Sequence, residues 1–404
     1  MSFAVNSRAF FKTFKGSLIA FSFSVGGVLA GFIVASQLDI FHSPIFPWTI
    51  AVYPAVLSAK GVISGLFSGR LSTALHVGTI YPKLFDNTKS FYKLFEAIIV
   101  ITFEASIAMS SVSVVFGSLF WGITVADFAY IVLVVMATMT LGLTLSLFTI
   151  AVTFVTFKKG LDPDVIVYPI MSTVMDIVVT VFYVIMLNLF FFFGFFGKYA
   201  VALIGFLLIA LSLYILPRNM HEREFAKTIK ESLFTVMFVA FIVNVTGTVL
   251  KSISEGVVVG GRREIYTVYP ALIATVGNVG SVVGSTTTTK LALGLLKPSF
   301  LAVRNHITQI FGTWAASIAM FISFSALSLF VNGMFVLHTF LGFTSLLLTA
   351  NIIAVAAIIL ISYAVSTLTF KKGLDPDNFV IPIESSLGDS ITSSALLVSL
   401  LLIG

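Results

Sequence analysis

Two aspartates stand in apolar surroundings where an ionisable side chain is costly: Asp176 in DPDVIVYPIMSTVMDIVVT and Asp389 in DPDNFVIPIESSLGDSITS. Both stretches open on the same heptamer, KKGLDPD, at Lys158 to Asp164 and again at Lys371 to Asp377, 213 positions on. In each copy an acid, a proline and a second acid recur every seventh residue: Asp162, Pro169 and Asp176, then Asp375, Pro382 and Asp389. Seven residues is nearly two helical turns, so beyond the helix start the proline and the second acid share a face. Ser172 and Thr180 join that stripe in the first copy, Ser385 and Ser393 in the second. Asp164 and Asp377 fall at helix N-termini, where carboxylates satisfy exposed N–H groups; with Asp162 and Asp375 they are expected to mark a cytoplasmic entrance.

A stripe of carboxylates, hydroxyls and proline-freed carbonyls, with no sulfur and no imidazole, suits a hard cation. Magnesium fits best, because it dehydrates reluctantly and is often held through water by one or two carboxylates. The competing reading is a buried, hydrogen-bonded aspartate pair that holds no ion. Other oxygens come from a second repeated stretch, GVISGLFSGRLSTALHVG from Gly61 to Gly78 and GNVGSVVGSTTTTKLALG from Gly277 to Gly294, at a spacing of 216. Tyr53-Pro54 and Tyr269-Pro270 recur at the same spacing. The glycines imply close backbone approach or a broken helix. Asn278 and the hydroxyls from Ser285 to Thr289 are neutral ligands expected to line the same path.

Lys60 and Glu104 have no charged counterpart in the other half. A lone charge inside a membrane is expensive, so Lys60 is expected to pair with Glu104 or with Asp176. Such a lysine either forms a fixed ion pair or acts as a tethered positive charge in a place that a cation uses elsewhere. Glu384 lies well around the helix from Asp389 and is expected at the rim.

The elements that must position these groups are membrane helices. Of the 404 residues 58% are hydrophobic and 10% charged, far more apolar surface than a soluble core needs. Apolar runs near 16–37, 48–69, 97–121, 128–157, 165–190, 199–216, 232–250, 265–285, 306–330, 342–369 and 379–402 predict about eleven spans and an all-α integral membrane protein. Most lysines and arginines fall in alternate connecting segments, which places the N-terminus in the cytoplasm and fits a multi-pass protein of the cell membrane. The first run is too long for a signal peptide and is read as a retained helix.

The repeats divide the chain into a five-helix repeat at 1–190, a linker helix and loop at 191–231, and a second five-helix repeat at 232–404. Five is odd, so the extra span at 199–216 restores orientation, leaving two parallel repeats about a pseudo-two-fold axis along the membrane normal. The single chain would then work as a pseudodimer. Cysteine is absent, which excludes disulfides and thiolate metal sites. The net charge of +6 is scattered over short loops, so the partner is the lipid bilayer and not nucleic acid.

G-N-x-G with a following basic residue and late glycine, then the D-P-D, proline and aspartate pattern, resembles the membrane domain of MgtE-type magnesium transporters and their eukaryotic solute-carrier relatives. RLSTALHVG and DPDNFVIPIESSLGD are closer to the eukaryotic branch. The resemblance spans nearly the whole chain and is fuller in the second half. It implies a pore between two five-helix units, with cation contacts at Asp389, Asn278 and Asp176. Here Val62 stands opposite Asn278 and Met175 opposite Gly388, so equal half-sites are not expected. No cytoplasmic sensor domain is expected ahead of the first helix.

The expected function is transport of magnesium or a related divalent cation, with sodium coupling open and no cofactor beyond the transported ion. A cation-coupled transporter of a small organic solute is the alternative. Ser386 to Asp389 loosely echoes intramembrane aspartyl proteases, but those pair two dissimilar motifs, so no enzymatic activity is expected.

Overall fold

The computed structural model describes residues 7–41, 46–159, 163–260, 262–292, 294–299, 303–304, 306–372 and 377–403. The regular elements among them are helices. They are α1 (Ser7–Ser22), α2 (Val25–Ser36), α3 (Leu38–Phe41), α4 (Trp48–Val77), α5 (Lys89–Phe116) with a π-helical turn at Gly117–Trp121, α6 (Asp127–Gly142) and α7 (Thr144–Lys158). There follow α8 (Pro163–Phe192), α9 (Gly194–Asn219), α10 (Arg223–Gly260), α11 (Arg263–Ala292), α12 (Ile307–Val331), α13 (Leu337–Lys371) and α14 (Asp377–Ile403).

Among the described residues ten helical segments are long and apolar enough to cross a membrane, against eleven expected. The remaining expected span, 48–69, is α4, a helix of 30 residues. Several side chains of α4, among them those of Val62 and Leu66, lie outside the described residues. Two expected spans are interrupted. The first divides into α1 and α2 at Phe23 and Ser24; the fourth divides into α6 and α7 at Leu143, where the Thr144 hydroxyl bonds back to Leu141 O at 2.6 Å. Such side-chain back-bonding bends helices.

The helices form two compact units, one of Met1–Ala35 with Ser252–Gly404 and the other of Ser36–Lys251. They are called here the α11 unit and the α4 unit. These packing units cut across the sequence repeats, because the leading helix of each repeat sits with the later helices of the other. The contact is made by glycines at equivalent positions. A Cβ on Gly31 would lie 2.3 Å from Thr267 O, and one on Gly247 would lie 2.0 Å from Ala51 O. Gly31 and Gly247 are 216 apart, as are Ala51 and Thr267. Only glycine lets two helix backbones come this close.

Within the α11 unit, α1 packs along α12, where the Ser17 hydroxyl meets Thr313 at 3.3 Å in a buried contact. The α4 unit buries Trp48, Tyr53 and Tyr183, the two tyrosine rings stacking at 6.1 Å. Its α9 exposes Phe195, Phe196, Leu203, Phe206 and Leu213, an apolar face suited to lipid.

Candidate functional site

In the α4 unit, α4 and α8 run antiparallel and meet through three successive polar rungs. Tyr183 donates its hydroxyl to Thr49 O at 2.8 Å. The Tyr53 hydroxyl lies 2.8 Å from Thr180 Oγ1, and Lys60 Nζ pairs with Asp176 Oδ1. The Thr180 hydroxyl is 2.6 Å from Asp176 O and spends its single proton there. Tyr53 is therefore the donor to Thr180, and the order runs from tyrosine to hydroxyl to the aspartate carbonyl.

The α11 unit repeats this order on α11 and α14. Tyr269 stands 2.8 Å from Ser393 Oγ, and Ser393 donates to Asp389 O at 2.8 Å. One residue before Asp389, a Cβ on Gly388 would lie 3.3 Å from Gly277 Cα, so the aspartate helix passes closely over the Gly277–Asn278 stretch. Asn278 Nδ2 donates to the Ser24 hydroxyl at 3.2 Å, in the break between α1 and α2. Ser24 is itself buried.

Of the residues named from sequence, Asp176, Thr180 and Lys60 come together on α4 and α8, and Asp389, Ser393, Gly277 and Asn278 on α11 and α14. Gly61 and Gly277 sit in unbroken helices; the close backbone approach expected of these glycines is met at Gly277, under Gly388, while a Cβ on either would meet nothing within 4 Å among the described residues. Lys60 meets Asp176, while Glu104 accepts a hydrogen bond from Ser232 at 3.1 Å. Asp162 and Asp375 lie outside the described residues. So do the side chains of Asp164, Pro169, Ser172, Asp377, Pro382, Glu384, Ser385, Ser285 and Thr289.

Sequence reasoning marked Tyr53 and Tyr269 only as signs of repetition and missed their hydroxyls as partners. Their equal spacing with Thr180 and Ser393 in the two halves was the available signal. Ser24 carried none. A further polar centre, also unforeseen, lies at the end of α11. Lys290 Nζ donates to His306 Nδ1 at 2.9 Å, and His306 Nε2 donates to Thr286 Oγ1 at 3.0 Å, whose own proton goes to Val282 O at 2.6 Å. His306 precedes the span Ile307–Val331, and burial, then the adjacent Lys290 charge, lowers its pKa to about 4.

The helices and the twice-written acid motif define a multi-pass integral membrane protein with a polar site in each unit. Residues 53–186 and 269–399, more than half of the chain, match the MgtE family, described as divalent cation transporter, and the chain belongs to that family. The two matched regions correspond to the two repeats. No curated protein matches the chain. Among solved structures, the crystal structure of the eukaryotic MATE transporter AtDTX14 is similar over 97% of each chain, at 12% identity and a TM-score of 0.34, too low to carry an argument.

Proposed function

We propose that the protein moves magnesium or a related divalent cation across a cell membrane, along a path lined by the two aspartate motifs. The observation that carries this reading is the repetition of one chain, tyrosine to hydroxyl to aspartate, at membrane depth in both halves of a divalent cation transporter family member. An intramembrane carboxylate held by a rigid hydrogen-bonded support is suited to meeting a cation and releasing it. Asn278, beside the close approach of α14 to α11 at Gly277, supplies an amide oxygen as a neutral ligand.

In this reading the single chain works as a pseudodimer with a cytoplasmic N-terminus, and a sodium gradient is a candidate driving force. Cation flux into proteoliposomes carrying an internal magnesium-sensitive dye tests it, with wild type compared with Asp389→Asn and Asp176→Asn. Flux that falls in Asp389→Asn supports the path, and dependence on a sodium gradient makes the protein an exchanger. An intact wild type that passes no magnesium, manganese, cobalt or calcium would refute the reading.

A further inference from the structure

The two motifs hold their aspartates at matching positions, but the neighbouring helix carries a different residue at the place of Lys60. Thr180 and Ser393 each fix the carbonyl of the aspartate one turn away, and Tyr53 and Tyr269 fix those hydroxyls to the neighbouring helix. Two turns along that helix from the tyrosine, the α4 unit places Lys60 against Asp176, with only 8% and 13% of the two side chains exposed. The α11 unit has Val276 at the equivalent position, followed by Gly277 and Asn278.

Before Asp389 stands Gly388, close to the Gly277 backbone. Before Asp176 stands Met175, buried. Lysine and methionine thus stand in the α4 unit where the α11 unit has Val276 and Gly388.

We propose that Lys60 is a built-in cation: its ammonium holds the place at Asp176 that a divalent ion would otherwise take, and the chain binds its cation at the Asp389 motif alone. This rests on the cation reading above and narrows it to one ion site per chain. A divalent ion entering beside Asp176 would meet a fixed positive charge in surroundings of low dielectric, and one carboxylate cannot neutralise both. The two halves would then do different work, one binding the moving ion and the other keeping a permanent substitute for it.

Counting Mn²⁺ bound to the purified full-length protein in lipid nanodiscs tests the inference, with the melting temperature followed in parallel. Wild type and Lys60→Arg should each bind one ion, Asp389→Asn none, and Lys60→Met two, the added ion disappearing in Lys60→Met/Asp176→Asn. Mn²⁺ should also raise the melting temperature of Lys60→Met more than that of wild type. Two ions on wild type, or a folded Lys60→Met that still binds one, would overturn the inference. Should Lys60→Met fail to fold, Asp389→Asn decides: any ion it retains and then loses on adding Asp176→Asn places cargo at Asp176 and overturns the inference. Absence of Mn²⁺ from every folded variant would instead bring down the cation reading itself.

Discussion

Tyr269 holds Ser393 at 2.8 Å, and through that hydroxyl it fixes the carbonyl of Asp389 and the register of α14 on α11. Tyr53 and Thr180 do the same for Asp176 at the same 2.8 Å separation. Removing either phenolic hydroxyl deletes one buried hydrogen bond, a loss of about 1 kcal/mol. Tyr53→Phe and Tyr269→Phe should therefore lower the melting temperature in detergent by similar amounts. Cation flux in proteoliposomes should fall further in Tyr269→Phe, because the aspartate it supports is the one assigned to the moving ion.

Lys60 and Asp176 form a buried pair, so each alone leaves the other as an uncompensated charge. Lys60→Met or Asp176→Asn measured without divalent ions should lose about 3 kcal/mol or more, since breaking a buried pair is far costlier than replacing it. Lys60→Met/Asp176→Asn should recover most of that loss. Thermal unfolding of the four proteins, read as a double-mutant cycle, checks this coupling.

The glycines divide into two functional kinds. At Gly247 a methyl group would sit 2.0 Å from Ala51 O, and at Gly31 2.3 Å from Thr267 O, so alanine at either should push helices apart and cost about 1–3 kcal/mol. At Gly61 and Gly277 a methyl group meets nothing within 4 Å among the described residues. Alanine there should leave stability unchanged or raise it by about 0.5–1 kcal/mol through helix propensity. Gly277→Ala should nonetheless reduce flux, because it fills space beside Asn278; melting curves paired with flux assays separate the two effects.

Acid should loosen the end of α11. His306 is held neutral to about pH 4, against an ordinary value of 6.5, by burial and by Lys290. Between those pH values the unfolded chain binds more protons than the folded one at this histidine. Stability therefore falls as pH drops through that window and levels off below about 4, a loss of up to about 3 kcal/mol. His306→Gln removes the titrating ring and should flatten the melting temperature over the same range.

Much of the fold was legible in the sequence for one reason: a bilayer forces the backbone into helices whose length and apolarity can be read residue by residue. The repeat at spacings of 213 and 216 exposed the paired aspartates, and a costly charge at Lys60 announced that it needed a partner. Its choice of Asp176 over Glu104 could not be read, because that depends on the rotation of α4 against α8. Ser24 was equally invisible, since its meeting with Asn278 joins residues 254 positions apart.

The sequence by itself determined the membrane helices, the two-fold repetition and the acids on each copy, all of which are local properties of composition and period. Only the tertiary structure decided which helices keep company. Gly31 on the Thr267 backbone and Gly247 on that of Ala51 put the leading helix of each repeat into the unit of the other, an outcome of backbone fit that no local pattern encodes. It also decided that Asp176 meets the Lys60 ammonium, because burial of a charge is settled by its neighbours in space and not by those in sequence.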